Sequence, residues 1–388
     1  MPKLCGTDTC TGCSSCAQSC SNGALSMMLN DEGYYQPIVD SGKCIGCQLC
    51  EKNCPVLHPE TPHKDSPKAY ASWVKDDSIR SQSSSGGVFS AIAFHILQDH
   101  GVVWGVGYND ELHPVYKYVE HVQDLGKLRG SKYVQAEIGN AYQLIRSQLK
   151  NGRKVLFCGT PCHVAGLYSY LKGAPIENLL TVDFICHGVP SSRLFRNYIG
   201  WLEEKYQDKA VDFNFREGRF GINYNVGTSI TFRTKGKRYL CLSNNSYTLG
   251  FCRDQTIHRT CGKCKFDGTQ RVSDFTIGDY HGAKGEFQSK DQFKGISCVM
   301  VNSYKAKSVI KDLNLQLKEV PLEKIISTNP SYTSHQPSSQ TLKLEEILCI
   351  PYQEVQKKYF SPTLRDKVKT SVMVLLGGRF SYCLKNKF

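Results

Sequence analysis

The chain has 388 residues, 40% of them hydrophobic, and a formal net charge of +13. That length suits two or three domains with substantial cores, and its 19 cysteines would indicate a disulfide scaffold only in a short secreted chain. Residues 1–5 lack the apolar core of a signal peptide, and the aliphatic stretch 372–376 is far too short to span a membrane. We therefore expect a cytoplasmic protein in a reducing compartment.

Positive charge is unevenly distributed along the chain. Residues 1–62 carry three lysines and six acidic residues, a net charge of −3, so the remainder carries +16. A basic body suits an anionic cofactor, an acidic protein partner or a membrane surface. No known DNA- or RNA-binding motif accompanies the charge, so we expect no nucleic-acid partner. A solvated basic surface without any partner is the alternative.

Two cysteine runs of the form C-x2-C-x2-C-x3-C lie near the N-terminus. Their members are Cys10, Cys13, Cys16 and Cys20, followed by Cys44, Cys47, Cys50 and Cys54. Thiolates at this spacing bind [4Fe–4S] clusters, and in two-cluster ferredoxins the fourth cysteine of each run ligates the other cluster. The spacing therefore predicts that Cys54 joins the first cluster and Cys20 the second. Zinc or disulfides are the alternative, but zinc ligands come as two pairs.

The segment between the two runs predicts a β-hairpin. Residues 24–40 contain two short apolar stretches around a turn that includes Gly33, which is a hairpin pattern. Such an insert is expected between the halves of a two-cluster ferredoxin, and we assign this domain to residues 1–62. The polar, proline-rich segment that follows predicts a linker over residues 63–68.

Alternating strand and helix patterns then predict an α/β body from residue 69 to about residue 310. We divide it into residues 69–150 and 151–312, followed by a less regular C-terminal region over 313–388. The predicted strands are 69–74, 102–108, 115–119, 154–157 and 179–185, and the predicted helices are 88–97, 138–149 and 162–171. Residues 227–232 and 239–242 predict an inserted antiparallel hairpin.

Four cysteines in the body predict a third metal site. Cys162 follows a strand and a tight turn, Cys186 follows the next predicted strand, and Cys261 and Cys264 form a C-x2-C pair that nothing nearby completes. Ligands bind at the carboxyl ends of strands in open α/β sheets. Spacing alone slightly favours zinc over a [4Fe–4S] cluster here, and a redox pair at 261–264 is a third option. Alternative ligands are Cys158 and Cys252, whereas the other cysteines, including Cys5 and Cys349, receive no role.

Three loops have the composition of a cofactor site. Residues 83–87, with the sequence SSSGG, precede a predicted helix and form a plausible phosphate cradle, although they also suit a simple helix cap. Residues 129–133 offer a cation, a hydroxyl and an aromatic ring, which suits a phosphorylated aromatic cofactor or an ordinary surface turn. At Gly159 and Thr160 the turn leaves N–H groups at a helix N-terminus, where an anion or cofactor edge can bind.

Six segments of the chain, taken in order, carry a family resemblance: SSSGGVFSAIA, RGSKYVQ, VLFCGTPCHVAGL, DFICHGVPS, CGKCKF and DFTIGDYHG. From about residue 5 to 310, the chain resembles the beta-subunit family of coenzyme F-420 hydrogenases and dehydrogenases, with a dicluster ferredoxin fused in front. Members carry FAD and iron–sulfur clusters and pass electrons between the clusters and a soluble two-electron carrier. The expected fold class is accordingly α+β and α/β, a two-cluster ferredoxin fold followed by an α/β flavin-binding body.

The resemblance also implies site residues. It implies FAD near Ser85, Gly86, Gly87, Ser131, Lys132 and Tyr133. It implies iron, instead of zinc, on Cys162, Cys186, Cys261 and Cys264. Two features depart from the family pattern: Cys20 is followed by Ser21 instead of proline, and the region after residue 310 matches no motif.

Two functions are compatible with these residues. The first is an oxidoreductase in which FAD receives electrons from the clusters and serves a two-electron acceptor that the sequence does not identify. Lys132 is the predicted catalytic cation, placed to stabilise reduced flavin. The second is an electron-relay or interaction subunit that feeds a partner enzyme and has no substrate of its own. A redox partner protein is expected in both cases, and a small-molecule two-electron carrier in the first.

The C-terminal residues 365–388 form a basic segment with a net charge of +5. Its apolar and aromatic residues fall near helical spacing, and such a segment can lie on an anionic membrane surface. Gly377 and Gly378 interrupt the pattern. Packing on the protein's own surface, or solvation, is the more common outcome, so peripheral membrane contact is the less favoured expectation.

Overall fold

A computed structural model describes residues 1–60, 63, 66–217, 227–334, 341–368 and 370–371. Its strands are β1 (Leu25–Leu29), β2 (Tyr35–Val39), β3 (Lys68–Val74), β4 (Val102–Tyr108), β5 (Pro114–Val119), β6 (Val155–Cys158), β7 (Leu179–Phe184), β8 (Ala210–Asn214), β9 (Thr228–Phe232), β10 (Gly236–Leu240), β11 (Phe275–Asp279), β12 (Ser297–Val301) and β13 (Leu315–Glu319). Its α-helices are α1 (Ser15–Gln18), α2 (Leu49–Lys52), α3 (Asp77–Ser81), α4 (Val88–Gln98), α5 (Ala141–Lys150), α6 (Pro161–Tyr170), α7 (Ser192–Tyr206), α8 (Ser246–Cys252), α9 (Ser289–Lys294), α10 (Tyr304–Val309), α11 (Leu322–Thr328), α12 (Leu344–Ile347) and α13 (Tyr352–Tyr359).

The N-terminal domain consists of two cysteine loops, a hairpin and two short helices. β1 and β2 pair antiparallel, with Leu25 opposite Val39, which confirms the predicted hairpin. Side chains alternate between the two faces of a strand, so one face of the hairpin turns toward the cysteines. On that face Leu25 packs with Cys16 and Cys50, and the hairpin thereby covers both cysteine loops.

The two cysteine loops share one backbone conformation. Gly12 and Gly46 have φ values of 71° and 72°. Ser14 and Gln48, two residues further on, are also left-handed, with φ values of 62° and 59°. A left-handed residue other than glycine is costly, so the fold imposes this turn at matching points of both runs. The turn bends each loop so that its first three cysteines approach one cavity.

An eight-stranded mixed sheet forms the centre of the body, in the order β13-β3-β12-β11-β7-β6-β4-β5. β11, β7, β6 and β4 are parallel, and the outer strands pair antiparallel with their neighbours. The α/β body that the sequence predicts is confirmed. Both predicted body domains contribute strands to this one sheet, and β13 extends it beyond residue 312.

Helices cover both faces of the sheet. On one face Ile92 of α4 packs with Val103 and Leu156, and on the other Leu167 of α6 packs with Phe157. Adjacent residues of β6 therefore enter different cores, as strand geometry requires, and strands buried on both faces read as continuous apolar runs. Each fully buried aliphatic side chain stabilises the fold by about 1.5–3 kcal/mol. Both cores fix the strand ends from which the site residues follow.

A second, three-stranded antiparallel sheet has the order β10-β9-β8. β9 and β10 form the predicted inserted hairpin, with Gly236 opposite Phe232, and β8 is a third strand that the sequence patterns did not reveal. Phe213 and Phe232 of this sheet pack with Tyr198 of α7 in a separate aromatic core, to which α12 and α13 also contribute. The C-terminal region thus supports this smaller sheet.

The N-terminal domain packs directly against the body. The hydroxyl of buried Tyr34 donates to the carbonyl of Thr256 at 3.0 Å. The side-chain oxygen of Gln18 accepts from the N–H groups of Tyr142 and Gln143 at 3.0 and 3.2 Å, which satisfies donors in the first turn of α5. The sequence indicates only a connecting linker over residues 63–68, of which residues 64–65 lie outside the described residues.

Within the described residues, no helix has both the length and the apolar character needed to cross a bilayer. The start of the predicted basic tail is held by Asp366, which accepts from Arg253 at 2.8 Å. Residues 369 and 372–388 of that tail lie outside the described residues, and so does most of its predicted amphipathic pattern.

Candidate functional site

The eight cysteines of the N-terminal runs line two cavities. We call the first the outer cavity; it is lined by Cys20, Cys44, Cys47 and Cys50. The inner cavity is lined by Cys10, Cys13, Cys16 and Cys54. The fourth cysteine of each run thus lies beside the first three cysteines of the other run. Crossed ligation of two clusters requires this arrangement.

The two cavities differ in their exposure to solvent. At the outer cavity, Cys47 is exposed and its neighbour Ile45 is 70% exposed. All four cysteines that the sequence assigns to the inner cavity are buried. A second protein can therefore approach the outer cavity closely, whereas the inner cavity is shielded by the hairpin and the body.

A third cavity lies at the carboxyl ends of β6 and β7. Its lining includes Cys162, Cys186, Cys261 and Cys264. Cys162 belongs to the first turn of α6, and Cys186 follows β7 by two residues. The structure thus brings together the four cysteines that the sequence grouped from distant segments, because parallel strands direct their following loops to one edge of the sheet.

The environment of the third cavity suits thiolates bound to iron. The backbone N–H groups of Gly188 and Phe266 donate to the sulfurs of Cys186 and Cys264, each at 3.4 Å. Such donors stabilise thiolates and tune cluster potentials. Burial raises the pKa of Cys186 to about 12, so its thiolate needs a compensating positive charge, which bound iron would supply.

The spread of these thiols bears on the choice of metal. Zinc requires four ligands about 2.0–2.3 Å from one point. Across the described ranges of the chain, no three His, Cys, Asp or Glu side chains converge closely enough to hold a single ion. In this structure the four thiols of the third cavity are therefore not gathered around one point as a single zinc ion requires.

Sequence analysis missed Arg271, which lines the third cavity and is buried. Its guanidinium donates to the carbonyls of Phe266 and Gly268 at 2.7 and 2.8 Å and lies 3.6 Å from the carboxylate of Asp183 on β7. These bonds tie the segment after Cys264 to the sheet. Only the folded chain reveals this role, because an isolated arginine in a loop carries no sequence signal.

The inner and third cavities adjoin each other. Thr11 lines both of them, and the hydroxyl of Thr260 donates to the carbonyl of Cys10 at 3.3 Å. α6 also lies against the inner cavity, because a Cβ atom at Gly166 would be 3.2 Å from the sulfur of Cys13. The inner and third cavities therefore share a wall at Thr11.

A polar network connects two loops that the sequence predicts to bind FAD. Arg216 pairs with Asp279, at the end of β11, at 2.7 Å. Burial alone would raise the pKa of Asp279, but the charge of Arg216 and hydrogen bonds from Arg216 and Ser85 lower it. Arg216 also interacts with Tyr133. Ser85 and Tyr133, although 48 residues apart, thus belong to one network at the carboxyl edge of the sheet.

Gly86 and Gly87 are required by close packing of their loop. A Cβ atom on Gly86 would collide with the backbone of Ser72 and Ser297, and one on Gly87 would lie 2.8 Å from Val74 Cγ1. Gly87 also has a φ of +83° and precedes α4 without a side-chain cap. No side chain at Gly87 caps the N–H groups of the first turn of α4. These N–H groups therefore form a suitable environment for an anion.

Ser131 and Lys132 are fixed within their loop by hydrogen bonds. The N–H of Ser131 donates to Ser84 Oγ at 2.9 Å. The ammonium of Lys132 donates to the carbonyls of Arg129 and Leu128 at 2.7 and 3.4 Å. Burial lowers the pKa of Lys132 to about 8. Lys132 thus positions its own loop and also places a titratable charge there.

Gly159 and Thr160 lie between this region and the third cavity. A Cβ atom on Gly159 would collide with the hydroxyl of Tyr116, so glycine is needed there. The hydroxyl of Thr160 is 3.2 Å from Cys162 Sγ and lines the third cavity. In Cys158, which precedes Gly159, burial and the charge of Asp183 raise the pKa of the thiol to about 12, against the opposing charge of Lys132. The end of β6 therefore adjoins both the predicted FAD residues and the third set of cysteines.

Comparison with protein families agrees with the N-terminal cysteine pattern. Residues 9–57 match the family model described as a 4Fe-4S dicluster domain. Together with the two four-cysteine cavities, this match identifies an iron–sulfur electron-transfer protein.

Two further matches cover the body. Residues 69–142 match the family model for the N-terminal part of the beta subunit of coenzyme F420 hydrogenase/dehydrogenase, and residues 152–324 match the model for its C-terminal part. Together they span more than half of the chain. The chain belongs to the coenzyme F420 hydrogenase/dehydrogenase beta-subunit family, as its ordered motifs indicate.

Among solved structures, a chain of the F420-reducing NiFe hydrogenase complex from Methanosarcina barkeri is similar to this one. The two chains are 14% identical, with a TM-score of 0.45, over 76% of this chain and 92% of that chain. No curated protein sequence matches the chain.

Proposed function

We propose that the protein is an iron–sulfur flavoprotein oxidoreductase, which accepts single electrons from a redox partner protein and serves a two-electron acceptor. The observation that carries this proposal is the serial order of the cysteine cavities, from the exposed outer cavity through the inner cavity to the third cavity. When bound, [4Fe–4S] clusters supply one-electron steps, and FAD supplies the exchange between one- and two-electron chemistry. The third site is proposed to hold iron on Cys162, Cys186, Cys261 and Cys264.

The exposure of the outer cavity supports its role as the point of contact with the partner. Cys44 and Cys47 lie on a segment whose residues 45–49 are exposed, so a donor can approach within a short distance of the metal site. The inner cavity lacks such exposure. The wall around Thr11 and Thr260 then keeps the inner and third sites close together and excludes solvent between them.

The carboxyl edge of the sheet supports a site for FAD. The first turn of α4 suits the pyrophosphate, and Arg129 brings a positive charge beside it, since its guanidinium donates to Ser90 Oγ in that turn at 3.1 Å. Lys132 carries a second charge, and the body as a whole is basic, at +16 after residue 62. Ser131 and Tyr133 are held on the same side by their bonds to Ser84 and Arg216.

The same proposal assigns the protein to the cytoplasm, where its cysteines stay reduced. Coenzyme F420, which the family description names, is one candidate acceptor among two-electron carriers. A relay role without a substrate of its own is the alternative, and the exposed outer cavity is compatible with it. Experiments on the loaded protein distinguish these two functions.

FAD binding is tested with a matched pair of charge reversals. Arg129→Glu places an anion beside the first turn of α4, whereas Lys127→Glu reverses an exposed charge two residues earlier. We expect anaerobically purified parent protein and Lys127→Glu to release stoichiometric FAD on boiling, and Arg129→Glu to release little. Gly87→Asp is a poor probe because its side chain would strike Val74. If both charge-reversal variants release equal amounts of FAD, the FAD site lies elsewhere.

The electron path is tested with a reduced ferredoxin as protein donor, and flavin absorbance as the readout. The parent protein is expected to reduce its flavin and then to reoxidise on addition of a two-electron acceptor. Cys47→Ser should slow reduction by the protein donor, and Cys264→Ser should interrupt transfer to the flavin. A flavin that never reoxidises with any two-electron carrier would favour the relay function.

A further inference from the structure

Cys5 is a fifth cysteine on the wall of the inner cavity. Its sulfur lies 3.6 Å from the sulfur of Cys54, and the residue is partly buried. The side chain of Thr9 bonds to the sulfur of Cys5, which orients it. Cys5 lies outside the cysteine run, so the motif gives it no function.

The separation of the two sulfurs excludes a disulfide bond and allows a hydrogen bond. A distance of 3.6 Å is far longer than a disulfide bond of about 2.05 Å, yet it is within reach of an S–H···S hydrogen bond. A cysteine binds iron as the thiolate, and Cys54 belongs to the cysteine run whereas Cys5 does not. With iron on Cys54, Cys5 is therefore the S–H donor and Cys54 the acceptor.

We propose that the Cys5 thiol donates a hydrogen bond to the Cys54 thiolate and so raises the reduction potential of the cluster in the inner cavity. This inference rests on the proposed function, because it needs a cluster on Cys54. Reduction adds negative charge to a cluster and its sulfur ligands. A donor to one of those sulfurs therefore stabilises the reduced state more than the oxidised state. Cys5 is a positioning residue, and Cys54 remains the ligand.

The outer cavity provides the comparison within the same molecule. Its lining residues in the described chain include the four motif cysteines and no fifth, although the two loops otherwise repeat the same backbone. The additional donor at the inner cavity therefore raises the potential of the inner cluster above the value that its four ligands alone would give.

The test is a potentiometric titration of the iron-loaded full chain, followed by electron paramagnetic resonance. Three variants are compared with the parent: Cys5→Ala, Cys5→Ser, and Cys349→Ala, which removes an exposed cysteine of the C-terminal region. We expect Cys5→Ala to keep its full iron content and to shift one cluster to a lower potential. A tenfold change in the one-electron equilibrium, about 59 mV, is the expected size. Cys5→Ser retains a donor and should lie closer to the parent, and Cys349→Ala should match the parent.

Three results would overturn the proposal. An unchanged potential in Cys5→Ala at full iron content would eliminate the role of Cys5 and leave the proposed electron relay intact. Loss of about four irons in Cys5→Ala, one four-iron site, would make Cys5 a ligand instead of a donor. A parent protein without any iron–sulfur signal would contradict the proposed function itself, and this inference with it.

Discussion

Gly12 and Gly46 hold equivalent positions in the two cysteine loops but meet different surroundings. A Cβ atom at Gly12 would lie 2.5 Å from Gln135 Nε2 and 2.8 Å from the carbonyl oxygen of Tyr35. A Cβ atom at Gly46 would have no described atom within 4 Å apart from those of its two chain neighbours. Both glycines have nearly the same positive φ. The pair therefore separates backbone strain from the cost of packing the N-terminal domain against the body.

Gly12→Ala should destabilise the protein more than Gly46→Ala. Left-handed strain costs roughly 1–2 kcal/mol in either variant, and overpacking against Gln135 adds about 1–3 kcal/mol at Gly12 alone. Denaturant unfolding of the iron-loaded protein, measured anaerobically, gives the two free energies of unfolding. Equal losses in the two variants would mean that the contact of Gly12 with the body contributes nothing.

The charge of Lys132 should give the bound flavin a pH dependence. Because the pKa of Lys132 is lowered to about 8, the ammonium is mostly charged about one pH unit below that value and mostly neutral about one unit above it. Lys132→Met should therefore lower the flavin potential at the lower pH and change it much less at the higher pH. In Lys132→Arg the guanidinium stays positively charged at both pH values. A Met variant with equal shifts at both pH values would contradict a role for this cation.

At the scale of elements, the turn residues decide where local patterns end. Apolar spacing predicts a helix over residues 138–149, but α5 begins at Ala141. Gly139 has a positive φ of 57°, which a right-handed helix cannot include. The carbonyl oxygen of the Gln18 side chain then caps the new start from the N-terminal domain. The start of α5 is therefore set partly by a residue more than 100 positions away.

The crossed arrangement of the cysteine runs can be tested with one variant for each cavity. Cys20→Ala should damage the outer cluster, whose other ligands are 24–30 residues downstream. For the inner cluster, Cys54→Ala must be combined with Cys5→Ala, because a second thiol lies 3.6 Å away and could replace the lost ligand. Spectroscopy should show damage to the outer cluster in Cys20→Ala and to the inner cluster in the double variant of Cys54 and Cys5. Damage by Cys20→Ala to the cluster on Cys10, Cys13 and Cys16 would contradict the crossing.

At the scale of the whole molecule, the outer and inner cavities differ in their exposure to solvent. The outer one is open at Cys47, and the inner one is enclosed by the hairpin and α6. The N-terminal domain is hydrogen-bonded to the body through Tyr34, Gln18 and Gln135. The positions of the outer and inner cavities relative to the body therefore do not depend on a free linker. A fixed geometry of this kind favours stepwise transfer over random collision.

This difference in exposure predicts which cluster is lost first. The anaerobic protein should contain about twelve iron atoms, from three four-iron sites. On brief exposure to air with a chelator, we expect iron to fall to about eight in a fast phase as the exposed outer cluster is lost. Cys20→Ala should lack that phase. Simultaneous loss from all sites would show that exposure does not control stability, and about eight irons before oxidation would mean an empty third site or zinc.

The sequence by itself determined the features that depend on local spacing. The two cysteine runs, the hairpin of β1 and β2 and the alternation of strands and helices are each encoded within a few tens of residues, where covalent geometry limits the conformations. The ordered motifs were sufficient to indicate the family. β8, β11, β12 and β13 escaped detection, because their short patterns become strands only through pairing with neighbours in the sheet.

Only the tertiary structure decided which distant residues meet. Cys162, Cys186, Cys261 and Cys264 converge because β6 and β7 are adjacent and parallel, which the order of strands in the chain does not specify. The contacts of Cys5 with Cys54, and of Arg216 with Asp279, likewise depend on packing between separate elements. Local sequence restricts the backbone over a few residues, whereas the burial of apolar surface across the whole sheet determines which loops share an edge.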